Sequence, residues 1–255
     1  MLHLIKPKPI FHPQPAQHFK SKWQKGDKIT VWYIVYQCLS CIFLLSSVIY
    51  TWTLQKDKPA ESRWKYIIYL THWGIVTLNA TVLLETVLTL VVYCKQRTSG
   101  KVSSGLDRAL HISWGMSHAT YSCAVFITGL YWTLLYTGED TTYTNIYQHA
   151  LQGVYAVVDQ LVSARPWEGG HWWVCPILPI VYVIFNVIFW AAGGTNDKGE
   201  DFVYPVLNWT ENPGTSAGLI FGALLVLICI HYILVGLTHL RDKVHQQMFP
   251  QQHLV

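Results

Sequence analysis

A threonine hydroxyl level with an imidazole is the smallest pair able to run nucleophilic acyl transfer. The base takes the hydroxyl proton and the alkoxide attacks an ester carbonyl. Thr71 and His149 form such a candidate pair, because each falls about six residues into an apolar stretch entered from the same side. At ~1.5 Å per residue both sit ~8 Å beneath that surface, the depth of an ester whose headgroup lies at a lipid interface. Asn145, one turn before His149, is placed to orient the imidazole or to donate to an oxyanion. His72 points about 100° away from Thr71 on an ideal helix and reads as a pocket or interface residue. A structural reading stands beside the catalytic one. Threonine in an apolar helix often bonds its own carbonyl four residues back, and His149 can be an interfacial anchor.

A second set lies deeper. Glu85 is ten residues before Lys95, His118 ten after Arg108, and His231 ten before Arg241. Each is therefore ~15 Å from the same charged boundary, and the three form one polar layer on three different helices. A buried carboxylate bonded to imidazole, tying three helices together, explains the layer; so does a proton or substrate path. One Glu and two His lack the usual fourth ligand, so no metal is expected. His118 and His231 could bracket a haem once, but nothing else points to a cofactor, and none is expected. Asp159, six residues before Arg165, is placed to reach water or that arginine.

These residues sit on six stretches that decide the solvent of the chain: roughly 29–55, 66–94, 109–137, 144–164, 171–196 and 214–240. Each exceeds the ~20 helical residues that cross a ~30 Å hydrocarbon core. Backbone groups cannot go unpaired in lipid, so the expectation is an all-α membrane protein, a six-transmembrane-helix bundle. Apolar residues are 51% of the 255 and charged ones only 13%, about half the usual soluble share. The organisation read from this is a tail over 1–28, a six-span domain over 29–240 and a second tail over 241–255. Residues 1–28 are too charged and proline-rich for a signal peptide.

An even span count puts both termini on one side. Lys6, Lys8, Lys20, Lys22, Lys25, Lys28, Lys95, Arg97, Lys101, Arg108, Arg165, Arg241 and Lys243 all fall on that side, 13 of the 18 basic residues. The other side holds Lys56, Lys58, Arg63, Lys65 and Lys198 among acids that include Glu139 and Asp140. Both termini are therefore expected in the cytosol. The net charge of +4 reflects this asymmetry and an anionic leaflet; no nucleic acid is expected as a partner. Asn208-Trp209-Thr210 is a glycosylation acceptor on the opposite side, whereas Asn79-Ala80-Thr81 lies inside a span. All six cysteines lie in or at the ends of spans, which argues against a disulfide framework.

Three segments carry a resemblance: Tyr69-Leu70-Thr71-His72-Trp73-Gly74, Ala191-Ala192-Gly193-Gly194-Thr195-Asn196 and Tyr204-Pro205-Val206-Leu207-Asn208-Trp209. Together they resemble the rolling stone family of membrane proteins, from about Trp23 to about residue 240. That family is associated with muscle-cell fusion. A more distant likeness is to the androgen-induced membrane hydrolases that cleave fatty-acid esters of hydroxy fatty acids. Trp64-Lys65-Tyr66 and Leu70-Thr71 are similar to their nucleophile segment, with three extra residues between the halves. Asn145-Ile146-Tyr147-Gln148-His149-Ala150 keeps the Asn and one His of their Asn-His-x-x-His-Thr stretch. The likeness implies Thr71 as nucleophile and His149 as base.

Three function classes follow. The first is a threonine-type lipid-ester hydrolase, with membrane lipids around it and a lipid ester as substrate. The second is a non-enzymatic protein of the rolling stone type that recruits protein partners, as at myoblast fusion. The third is a small-solute or proton transporter built on the Glu85 layer. The plasma membrane and the endoplasmic reticulum both fit such a chain.

Overall fold

Long apolar sequence must pair its backbone internally, and helices do so within one segment. The computed structural model describes residues 6–57, 59–98, 103–138 and 141–250, and it is helical along every apolar stretch. Helix α1 is Val31–Thr53, α2 Leu70–Arg97, α3 Ser104–Leu130, α4 Tyr143–His149, α5 Leu151–Val162, α6 Ile177–Ala191 and α7 Pro213–Met248. Among the described residues the β pairing is one isolated bridge, Ser21 with Ser163. Lys58, Lys101, Glu139 and Asp140, used above to assign sides, lie outside the described residues.

Four helical segments are long and apolar enough to cross a membrane: Val31–Lys56, Leu70–Arg97, Gly169–Ala191 and Pro213–Met248. Their outward faces present large apolar side chains such as Ile42, Ile49, Ile188, Phe221 and Ile233, a surface that lipid rather than water would cover. The other two stretches differ for visible reasons. The 109–137 stretch forms α3, whose Ser113, Ser117, His118, Thr120 and Ser122 are all buried. This helix runs through the middle, against α2, α5, α6 and α7, so its polar groups meet protein. The 144–164 stretch is two helices, α4 and α5, broken at Ala150 (φ −113°, ψ −48°). Gly153 lets α5 close on α3: a Cβ there would lie 2.6 Å from the Thr128 hydroxyl.

Local signals set the helix starts. Ser103 accepts from the Leu106 N–H (3.3 Å) and Thr142 from the Asn145 N–H (3.2 Å), each satisfying a first-turn donor. At one end of the bundle the N-terminal segment folds back onto the chain. The Lys22 N–H bonds the Val162 carbonyl (2.9 Å) and the Ala164 N–H bonds that of Lys20 (2.8 Å). Lys22 also pairs with Asp242 on α7 (3.0 Å), so the two terminal segments meet at the same end.

The core near that end is ionic. Arg165 is buried and pairs with both Glu85 of α2 and Asp159 of α5. Ser117 donates to Glu85, and the Tyr121 phenol lies 3.1 Å from Glu85 and 2.8 Å from Asp159. From α1, Tyr36 (3.1 Å) and Gln37 (3.3 Å) complete the Asp159 carboxylate. Removing one partner from a buried pair leaves an uncompensated charge, which costs about 3–5 kcal/mol. Arg165→Met should therefore lower the melting temperature in detergent sharply. Glu85→Gln should cost less, because Asp159 still faces the guanidinium. Equal melting of the two variants and wild type would contradict this account.

Candidate functional site

Thr71 is the second residue of α2, where backbone N–H groups have no helical partner. Tyr204 serves them. Its phenol oxygen accepts from the Leu70 N–H (2.9 Å), next to Thr71. Desolvation pushes this phenol up to about 12, with the Leu70 N–H pulling the other way, so it holds its proton at neutral pH. Tyr182 of α6 donates to the Ile68 carbonyl (2.9 Å) just before the helix.

The loop that follows α6 completes this end. Gly193 takes φ +75°, a backbone shape that side chains resist. A Cβ on Gly194 would lie 2.5 Å from the Phe189 ring. The loop then hands two oxygens to Lys65, the Thr195 hydroxyl (3.2 Å) and the Asn196 carbonyl (2.6 Å). Trp209 donates to Asn186 on α6 (2.8 Å). The Gly-Gly-Thr-Asn and Tyr-Pro-x-Leu-x-Trp segments thus build one loop that fastens the start of α2.

His149 ends α4. Its ring lies flat on Tyr131, centroids 3.5 Å apart and planes 3° apart, and its buried Nδ1 has no hydrogen-bond partner. It is close enough to His72 for the two rings to interact electrostatically. His72 itself stacks on Tyr66 at 3.5 Å and bonds the Tyr66 carbonyl (2.5 Å). Thr71, His72 and His149 thus gather at one end of the bundle. Among the described residues no hydrogen bond joins Thr71 to His149, or the Asn145 amide to His149. Asn145 instead gives its backbone N–H to the Thr142 cap.

The deeper layer divides into two clusters. Glu85 belongs to the Arg165 pair, since a guanidinium offers several donors where an imidazole offers one or two. His118 and His231, ring centroids 6.0 Å apart, join His171, Trp167 and Cys175. Trp167 donates to His231 Nδ1 (3.0 Å), and the Cys175 thiol lies 3.3 Å from the same nitrogen. Among the described residues no three His, Cys, Asp or Glu side chains are arranged to hold a metal. Arg165, His171 and Tyr204 are the residues that the spacing argument passed over. Arg165 and His171 lie at span ends, where water was assumed. Tyr204 was marked by its motif, but its partner is 134 positions away.

A cavity of about 430 Å³ opens at the other end, between the N-terminal segment and α7. Its cations are already engaged, Lys20 by Asp27 (2.9 Å), Lys22 by Asp242 (3.0 Å) and Arg241 by Asp242 (2.8 Å). Asn208, the glycosylation acceptor, is half-buried. Its amide donates to Glu211 (3.2 Å), and its side-chain oxygen takes the Thr210 N–H (3.1 Å).

The sequence model described as Protein rolling stone matches residues 13–251. A relative called Protein rolling stone, from Drosophila melanogaster, is 28% identical over 233 residues, covering 88% of this chain and 82% of the relative. No solved structure matches the chain.

Tyr204→Phe should remove the oxygen that the Leu70 N–H donates to, a loss of about 1–2 kcal/mol. Amide exchange at Leu70 should quicken while exchange in the middle of α2 stays unchanged. Unaltered exchange at Leu70 would mean that the phenol does not cap this helix.

Proposed function

The chain belongs to the rolling stone family and is an integral membrane protein; from that premise we propose that its Thr71 end is a threonine-type lipid-ester hydrolase site. What supports this reading is the unpartnered, buried Nδ1 of His149 beside the segment that carries Thr71. Buried polar atoms are nearly always satisfied, and the exceptions cluster where a ligand or reacting group belongs. In the proposed reaction Thr71 Oγ gives its proton to His149. The oxygen bonds to the ester carbonyl carbon, the alcohol leaves with that proton, and water then cleaves the acyl-threonine. Tyr204, protonated and next to Thr71, is placed to donate to the carbonyl oxygen. Tyr131 holds the imidazole plane fixed.

We infer six crossings with both termini cytosolic. The contact of Lys22 with Asp242 supports an even number. Helix α3 has 27 residues, ~40 Å, and α4 with α5 supplies a sixth crossing with a break in it. The basic residues gather at the end where the terminal segments meet. The protein would then reside in the plasma membrane or the endoplasmic reticulum.

A second reading, partner recruitment of the rolling stone type without catalysis, is favoured by the resting geometry. Among the described residues no hydrogen bond joins Thr71 to an imidazole, and the Tyr204 phenol caps the turn that carries it. Transport has no comparable support, since the Glu85 carboxylate is spent on Arg165.

Purified protein treated with a fluorophosphonate probe and a fatty-acid ester of a hydroxy fatty acid separates the two. Labelling and turnover should fall at least about 100-fold in Thr71→Ala and His149→Ala, with melting unchanged. Absence of labelling in well-folded wild type would sink the hydrolase reading and leave recruitment. For the crossings, Asn208→Gln should remove the glycosidase-sensitive shift of the full chain. A wild type with no such shift, together with modification of the N-terminal segment from outside intact cells, would reverse the assigned sides.

A further inference from the structure

We propose that His118 and His171 share one extra proton, and that this proton latches residues 8–12 of the N-terminal segment onto the bundle. The count of N–H groups leads there. His118 Nδ1 lies 3.0 Å from the Trp114 carbonyl. A carbonyl only accepts, so that nitrogen carries hydrogen. His171 Nε2 lies 3.2 Å from the Pro9 carbonyl and carries hydrogen for the same reason. The two remaining nitrogens, His118 Nε2 and His171 Nδ1, face each other at 3.3 Å. One of them must be protonated, or two lone pairs would oppose. Three protons on two imidazoles is one more than two neutral rings hold.

Burial works against a shared positive charge, and the ring neighbours work for it. Both rings are buried, His118 at 0% and His171 at 1% exposure. Trp167 lies 4.3 Å from His118 and Trp114 lies 5.2 Å from His171, between ring centroids, close enough for cation–π attraction. His231, facing the pair from α7, accepts at Nδ1 from Trp167 and adds no charge. Cys175 sits between His118 and His231. Glu168 is on the same turn as His171, and its carboxylate holds Lys8 (3.1 Å). From the N-terminal segment Lys8 and His12 approach, and His12 bonds His111 of α3 (3.0 Å).

The Pro9 bond makes the proton a latch. Beside it, the Lys8 N–H bonds the Gly170 carbonyl (2.8 Å) and Trp173 donates to the Lys8 carbonyl (2.9 Å). Loss of the proton leaves either the Pro9 carbonyl or the gap between the imidazoles without a hydrogen. The docked state binds one more proton than the released state with neutral rings. Docking is therefore strongest at lower pH and is lost as pH rises. His18, further along the segment, works with the opposite sign. Burial, reinforced by the charges of His12, Lys20 and Lys22, holds it down at about 4, so acid below that range would loosen its contacts.

Hydrogen exchange of the full chain in detergent, corrected for intrinsic rate, tests the latch. Between about pH 8 and 6.5, amides of residues 8–12 should gain protection on acidification, by up to about tenfold per unit for one linked proton. His171→Gln should abolish the dependence, and His111→Gln should keep it. Should His171→Gln fail to fold, nitrogen-15 histidine spectra of wild type at pH 7 decide instead. They should show N–H on both nitrogens of one ring of the pair. Flat protection across this range, a dependence that survives His171→Gln, two neutral rings, or one equivalent of bound metal between them would each overturn the proposal.

Discussion

Arg165 between Glu85 and Asp159 is the interaction on which the rest of the bundle depends. Apolar helices in an apolar surrounding have little preference for one register over another, because lipid covers leucine as well as protein does. A buried charge has a strong preference, since an unpaired ion in low dielectric costs several kcal/mol. Glu85 belongs to α2, Asp159 to α5, Ser117 and Tyr121 to α3, and Tyr36 and Gln37 to α1. Arg241 of α7 joins through the carbonyls of Gln160, Ser163 and Arg165, and its charge reaches Asp159. Arg165 faces two carboxylates while Arg241 is paired with Asp242, and five helices are set by this one group. The pairing is a device of specificity more than of net stability, because the desolvation it demands offsets much of what it returns.

That lock leaves the opposite end to be built separately. Thr71 is fourteen residues before Glu85 on the same helix, ~21 Å away. It is held by a loop instead of by charges. Lys65, with two hydrogen bonds to the Thr195–Asn196 turn, and Tyr204, with one to the first N–H of α2, make neutral or part-exposed contacts. Such contacts exchange more readily than a buried ion pair, and local opening is drawn from regions held this way.

The apolar stretches made the helices legible, because they depend on neighbours in the chain. The interior position of Glu85 and the reach of Asp159 to Arg165 agree with the spacing, whereas α2 starts at Leu70, a few residues later than the stretch from 66 suggests. Two features were hidden by the same assumption, that a charged or polar residue at a span end meets water. Arg165 does not, because acids on two other helices neutralise it. His171 does not, because the N-terminal segment folds over it. Ala150 interrupts a stretch that reads as one span, and nothing in its own side chain announces the break. The Thr71–His149 pairing rests on depth counted along two separate helices. Counting depth cannot see that Tyr204, from a distant loop, caps the turn that carries Thr71.

The two buried polar clusters near the termini answer the cost of burial in different ways. The Arg165 group sets opposite charges side by side. The histidine group has no acid within it, so its charge is settled by how many protons its nitrogens carry. Imidazole is the side chain whose proton count changes near physiological pH. The first cluster is therefore suited to fixing a fold and the second to reporting conditions. The chain places the fixed one among its helices and the titratable one against a segment that can leave.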